Sequence, residues 1–170
     1  MAIWYEVENT PDGIKNFLDC NWSFHDFRIE KISYITKNDM VELFLKYDTA
    51  KEGVLLRFFG MLGFHVGYMD YEVDYLSGST IVQQDDGSLV WINTDDWGDK
   101  TKEKLEELKP HCTWIASERI MWAVTDSEGI PVELPVDRVN QTWHVWGKLE
   151  KKHFCLKEFT ENWNALVRRK

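Results

Sequence analysis

The chain reads as an α+β protein built on a mainly antiparallel sheet, with short helices near the N-terminus, in mid-chain and at the C-terminus. Three patterns carry that reading. Residues 27–47 alternate apolar and polar side chains around a Lys37-Asn38-Asp39 turn. Residues 54–62 form an almost continuous apolar run. Residues 81–93 place two short apolar stretches around Asp85-Asp86-Gly87-Ser88. Strands in long succession, with helices at the margins, argue for segregated elements rather than alternating βαβ units. The 170 residues suit one domain spanning 1–170 with a sizeable core.

The first residues, Ile3 to Val7, suit a short strand. Thr10-Pro11-Asp12 is a helix start: a capping hydroxyl, proline at the first position and an acid in the first turn. Ile14, Phe17 and Leu18 share one face of that helix, which ends near Asn21. Phe27 to Tyr47 reads as a hairpin, because Val41, Leu43, Leu45 and Tyr47 alternate with Glu42, Phe44, Lys46 and Asp48. The apolar run 54–62, broken by Arg57, suits a central strand covered on both faces. Gly60, Gly63 and Gly67 then predict a bulge or a close backbone approach. Residues 68–75 fit a strand or a short helix equally. Ile81–Gln84 and Leu89–Asn93 make a second hairpin, and 95–98 a loop. Thr101–Lys109 reads as an exposed helix capped by Thr101 and stopped before Pro110. Cys112 to Thr125 is a strand, ended by Asp126-Ser127-Glu128-Gly129; Pro131 and Pro135 suggest an irregular crossing. Residues 158–169 close the chain as a helix with Phe159, Trp163, Leu166 and Val167 on one side.

Composition narrows the function classes. Aromatic residues are 14% of the chain, too many for a disordered polymer. No apolar run is long enough to span a bilayer, and the first residues lack a charged head followed by an apolar stretch. The expectation is a cytoplasmic protein without a membrane role. Cys20, Cys112 and Cys155 are odd in number and widely spaced, which fits reduced, buried side chains and no zinc or redox motif.

Charge is the most informative feature. The net charge is −9, and residues 1–100 carry 18 acids against 8 bases while residues 101–170 carry 11 against 12. Between Arg57 and Lys100 lie 42 residues with eight carboxylates and no lysine or arginine. A stretch of that kind disfavours nucleic acid, whose phosphates need clustered cations. It favours a basic protein partner. Asp70, Asp74, Asp85, Asp86, Asp95 and Asp96 are the candidate charged contacts. Trp91 and Trp97, flanked by acids and turns, are candidates to stack on a partner's arginine. Trp114, Trp122, Trp143, Trp146 and Trp163, in apolar surroundings, are assigned to the core. The spacing in Asp95-Asp96-Trp97-Gly98-Asp99 does not match a calcium loop, and a solvated acidic loop is the expectation there.

The histidines are His25, His65, His111, His144 and His153. None has a zinc-protease or Cys/His metal spacing, so no metal or cofactor is expected. His25-Asp26 is the most pointed pair for chemistry. On a strand, however, adjacent side chains face opposite ways, so the two are not expected to meet, and Asp26 is expected to cap a turn. His65 lies in Gly63-Phe64-His65-Val66-Gly67, where the glycines are expected to relieve packing. There is no phosphate loop and no serine-hydrolase elbow.

Trp22-Ser23-Phe24-His25-Asp26-Phe27-Arg28-Ile29-Glu30-Lys31-Ile32, then a polar turn, a Val-Glu-Leu strand and Leu56-Arg57-Phe58-Phe59-Gly60, together resemble small bacterial Phe-His-Asp domains of unknown function. Some of these are similar to immunity proteins of polymorphic toxin systems. The resemblance covers residues 22–62. It implies a β-rich cytoplasmic protein that binds and blocks a toxin domain, with no catalytic residues. Residues 122–135 also resemble the last strand and exit of hot-dog thioesterases. That likeness implies a long central helix, whereas the early helix at 11–20 is short. The leading expectation is therefore a non-enzymatic binding protein. The alternative is a small-molecule hydrolase of hot-dog type, using His25, Asp26 or His65.

Overall fold

The computed structural model describes residues 4–47, 53–67, 76, 78–94 and 99–132. They form an α+β fold. In chain order the elements are β1 (Tyr5–Glu6), α1 (Pro11–Cys20), β2 (Phe27–Ile35), β3 (Met40–Tyr47), β4 (Gly53–His65), β5 (Ser79–Gln83), β6 (Leu89–Asn93), α2 (Asp99–Leu108) and β7 (Trp114–Thr125). The strands join one antiparallel sheet in the order β2-β3-β4-β7-β6-β5. β7 is the hub. One edge pairs with β4 from Gly53↔Thr125 to His65↔Trp114. Its other edge is shared: Trp114–Ser117 pair with β6, and Met121–Trp122 pair with β1.

Each helix covers one face of the sheet. α1 supplies Ile14 and Phe17 to the larger core, which contains Val41, Leu43, Leu45, Val54, Leu56, Phe58, Ile120, Trp122 and Val124. The Phe17 ring lies 5.6 Å from both Trp122 and Phe24. α2 covers the opposite face of the β5-β6-β7 end, where Leu105 packs with Val82, Val90 and Ile92. Both helices are amphipathic at helical spacing, so their stability comes mainly from these contacts and little from propensity.

α1 starts as its sequence requires. Thr10 is the cap, its hydroxyl accepting from the Gly13 N–H at 3.0 Å, and Pro11 opens the helix. A side chain at position 13 would meet Glu8 at 2.4 Å, so glycine permits the close approach of the incoming chain. Asn21 closes the helix by donating from its amide to the Phe17 carbonyl at 2.8 Å. α2 differs from expectation. It begins at Asp99, and Thr101 is fully buried inside the helix instead of capping it. Its end before Pro110 is as expected.

The β2-β3 hairpin turns at Thr36–Asn38, and Asp39 takes the left-handed conformation. Alternation along β2 is interrupted by an irregularity between Ile29 and Lys31, which the sequence pattern had not signalled. β4 is central, as its apolar run implies. Arg57, the break in that run, has its Nε 2.8 Å from the Glu42 carboxylate and its guanidinium 3.9 Å from the centroid of the Trp4 ring. The predicted bulge lies between Met61 and Gly63. Just before it, Gly60 takes φ +64, and the Glu118 carboxylate fills the space where a side chain would stand. Core-facing positions change phase here, from Val54, Leu56 and Phe58 to Met61 in β4, and from Trp122 and Ile120 to Ile115 in β7.

The sheet curls until its ends approach each other. Leu76, just ahead of β5, donates to the Phe27 carbonyl at 2.6 Å and accepts from the Asp26 N–H at 3.0 Å. The expected strand or helix at 68–75, the loop at 95–98 and the helix at 158–169 lie outside the described residues. Among the described residues no helix is long and apolar enough to cross a membrane.

Two substitutions test this account of stability. Phe58 is fully buried in the larger core. Phe58→Ala is expected to cost about 3–5 kcal/mol. Thr10→Ala is expected to cost about 1 kcal/mol through the lost cap. Urea denaturation midpoints read both.

Candidate functional site

The acidic hairpin tip is the part of the expected docking face that the structure describes. β5 and β6 are joined at Gln84–Ser88, where the Gln84 N–H donates to the Ser88 carbonyl at 2.8 Å and Gly87 takes φ +84. That positive φ is the reason for glycine after two aspartates. Asn9 braces the turn from the N-terminal segment. Its amide donates to the Gly87 carbonyl at 2.6 Å, and Gln83 donates to the Asn9 side-chain oxygen at 2.6 Å.

Asp85 and Asp86 both point into solvent, but they differ electrostatically. The Asp85 carboxylate is 98% exposed and meets Lys102 of α2 at 2.9 Å. Asp86 accepts from the Ser88 N–H at 2.9 Å. The Ser88 hydroxyl, then this backbone bond, hold the Asp86 carboxyl below its usual range. One acid is partly neutralised within the chain, while the other is fixed as an anion by its own turn.

Trp91 is not on that face. It is fully buried; its indole N–H donates to the Ser79 hydroxyl at 3.1 Å, and its ring stands edge-on to Phe58 with centroids 6.5 Å apart. Contrary to expectation, a buried Trp91 cannot stack on a partner's arginine. The physical reason is that β6 is covered twice. Leu89 and Trp91 face the α1 side, and Val90 and Ile92 face the α2 side. The unbroken run Leu89-Val90-Trp91-Ile92 was the available signal, since a half-wet strand would alternate. Trp122 is buried as assigned; Trp114 is half-buried and donates its indole N–H to the Lys109 carbonyl at 3.1 Å. Asp70, Asp74, Asp95, Asp96 and Trp97 lie outside the described residues.

His25 and Asp26 do meet, against expectation. His25 Nδ1 lies 3.0 Å from Asp26 Oδ2, and both side chains are more than half exposed. The strand geometry that would have separated them is absent, because Ser23, Phe24 and Asp26 take φ of 48, 57 and 64. Left-handed backbone at three of four non-glycine residues costs about 1–2 kcal/mol each. The loop is held nonetheless. Phe24 is fully buried, with its ring 5.3 Å from Phe27, the Ser23 carbonyl accepts from the Ser79 hydroxyl at 3.4 Å, and the Asp26 N–H is bound by Leu76.

His65 ends β4 with its side chain exposed, and among the described residues no hydrogen bond or ion pair joins it to His25 or Asp26. Its glycines serve packing, as expected. Gly63 lies over the Trp114 ring, and a side chain at Gly67 would stand 2.7 Å from the Cys112 backbone. Among the described residues no cluster of three or more His, Cys, Asp or Glu is placed to hold a metal.

The Asp86 arrangement predicts a titration. Its carboxylate should titrate below the ordinary Asp value of about 3.9. Its contribution to stability is present above the unfolded-state value and lost as pH falls through the lowered folded one. Ser88→Ala should move that titration back toward the ordinary value, read by carboxyl NMR. No family model, curated protein or solved structure matches this chain.

Proposed function

We propose that this chain is a non-enzymatic binding protein of the bacterial immunity type, which engages a basic protein partner such as a toxin domain. The observation that carries the reading is the exposed Asp85–Asp86 tip within 42 consecutive residues free of lysine and arginine. Summed negative potential of that kind steers a cationic partner by long-range attraction and raises the association rate. The rigid hairpin supports the role, since a braced turn loses little entropy on docking.

The test is capture from the native host at low and at raised salt. A basic partner should be recovered, with association slowed several-fold by salt. Asp85→Asn with Asp86→Asn should slow it at low salt and matter little at high salt. A tight partner indifferent to both changes would remove the electrostatic basis.

A second reading, a small-molecule hydrolase, is favoured by the 3.0 Å His25–Asp26 contact. A carboxylate on Nδ1 leaves Nε2 placed to take a proton. Screening against simple esters and thioesters decides between the two. Turnover that disappears in His25→Ala would replace the binding reading.

A further inference from the structure

We infer that β2 is a self-association edge, which pairs with β2 of a second copy about a two-fold axis through Ser33. The two outer edges of the sheet are treated differently by the fold. β5 is five residues long, almost wholly buried, and contacted by both helices. β2 is nine residues long and terminal in the strand order. Its first residue, Phe27, is tied to Leu76. From Lys31 to Ile35 the described residues place β3 on one side and no strand on the other. A long edge of unpaired backbone groups is a template for another strand.

The open stretch is self-complementary. It is bounded by the irregularity between Ile29 and Lys31 and by the turn at Thr36–Asn38. Between them run Lys31-Ile32-Ser33-Tyr34-Ile35, and Ser33 is the centre. An antiparallel pair about Ser33 uses the whole stretch on both copies and keeps the same sheet face up. Ile32 of one protomer then faces Tyr34 of its partner, twice. These two positions share a face, opposite Leu43 and Val41 of the core. Aromatic against β-branched is a favourable cross-strand pair. Lys31 lies opposite Ile35, and serine meets serine on the axis, so no like charges are opposed. Shifting the axis to Tyr34 would set Lys31 against Lys37, and shifting it to Ile32 would bring Glu30 and the irregularity into the ladder.

The exposed surface agrees. Tyr34 is 49% exposed, and its ring lies 6.1 Å from that of Phe64, itself 46% exposed. Phe64 extends the apolar contact beyond the strand pair. A pair of five-residue strands is a small contact, and small interfaces are weak and transient, so the expected dimer is weak.

Sedimentation velocity of the full chain at about 20 μM and about 500 μM tests this, since a weak dimer is populated more at the higher concentration. The weight-average mass should rise by at least about a quarter toward that of a dimer, and Tyr34→Lys should abolish the rise while leaving the circular dichroism unchanged. Ser33→Cys should cross-link to a dimer under mild oxidation, beyond any background from the native cysteines in wild type. A monomer at both concentrations, or a dimer that survives Tyr34→Lys with no Ser33→Cys cross-link, would overturn the inference. Amide protection of residues 32–35 by a foreign protein, with the chain alone monomeric, would overturn it in favour of a partner's strand. Neither outcome bears on the salt test of the acidic tip.

Discussion

Pairing between β4 and β7 holds the sheet together. It joins residues 49 to 72 positions apart, from His65↔Trp114 to Gly53↔Thr125. Closing so long a loop costs only logarithmically more than closing a short one. Against that stand facing rows of buried side chains, Val54, Leu56 and Phe58 opposite Val124, Trp122 and Ile120. Each such side chain contributes about 1.5–3 kcal/mol on burial. The remaining strands attach, directly or through a neighbour, to one of these two. β3 and then β2 follow from β4, while β6, β5 and β1 follow from β7. A change that weakened this central pair would open the backbone ladder between two groups of strands that share one core.

The same pair sets the curvature. Left-handed Gly60 and the bulge after Met61 change which residues face the core. The larger core therefore spans both ends of the sheet although neither strand keeps one phase throughout. This curvature draws Leu76 onto the start of β2, while beside Lys31 to Ile35 the described residues place β3 on one side and no strand on the other. It also carries Phe64 to Tyr34, although β3 lies between their strands.

Much of the fold was legible because local patterns and tertiary context agreed. Thr10-Pro11, the two hairpins, the central run of β4 and the stop before Pro110 each have one strong local cause. The failures also have local causes. Thr101 resembles a cap, but the helix begins two residues before it, at Asp99, and Thr101 lies buried inside the first turn. Periodicity places His25 and Asp26 at a strand entry, whereas a buried Phe24 accompanies left-handed backbone at Ser23, Phe24 and Asp26 that periodicity does not encode. For Trp91 the apolar run that contains it, Leu89-Val90-Trp91-Ile92, outweighs its charged flanks. Of the eight residues expected on the docking face, the described part exposes Asp85 and Asp86, buries Trp91 and does not include the other five.

Burial of Trp91 has a consequence for how any partner is held. Charge at the hairpin tip accelerates encounter, but residence depends on desolvated apolar contacts. The large exposed apolar side chains among the described residues are Tyr34, Leu62, Phe64, Val66 and Ile130. None of them is on the β5-β6 hairpin, so steering and anchoring fall on different elements. Tyr34 and Phe64 are also the residues that a second copy would cover. A partner anchored on that pair must therefore displace the second copy, and its apparent affinity would fall as the chain's own concentration rises. A partner anchored on Ile130, in the turn that follows β7, would bind monomer and dimer alike. The concentration dependence of binding thus reports which apolar surface completes the contact that the acidic tip begins.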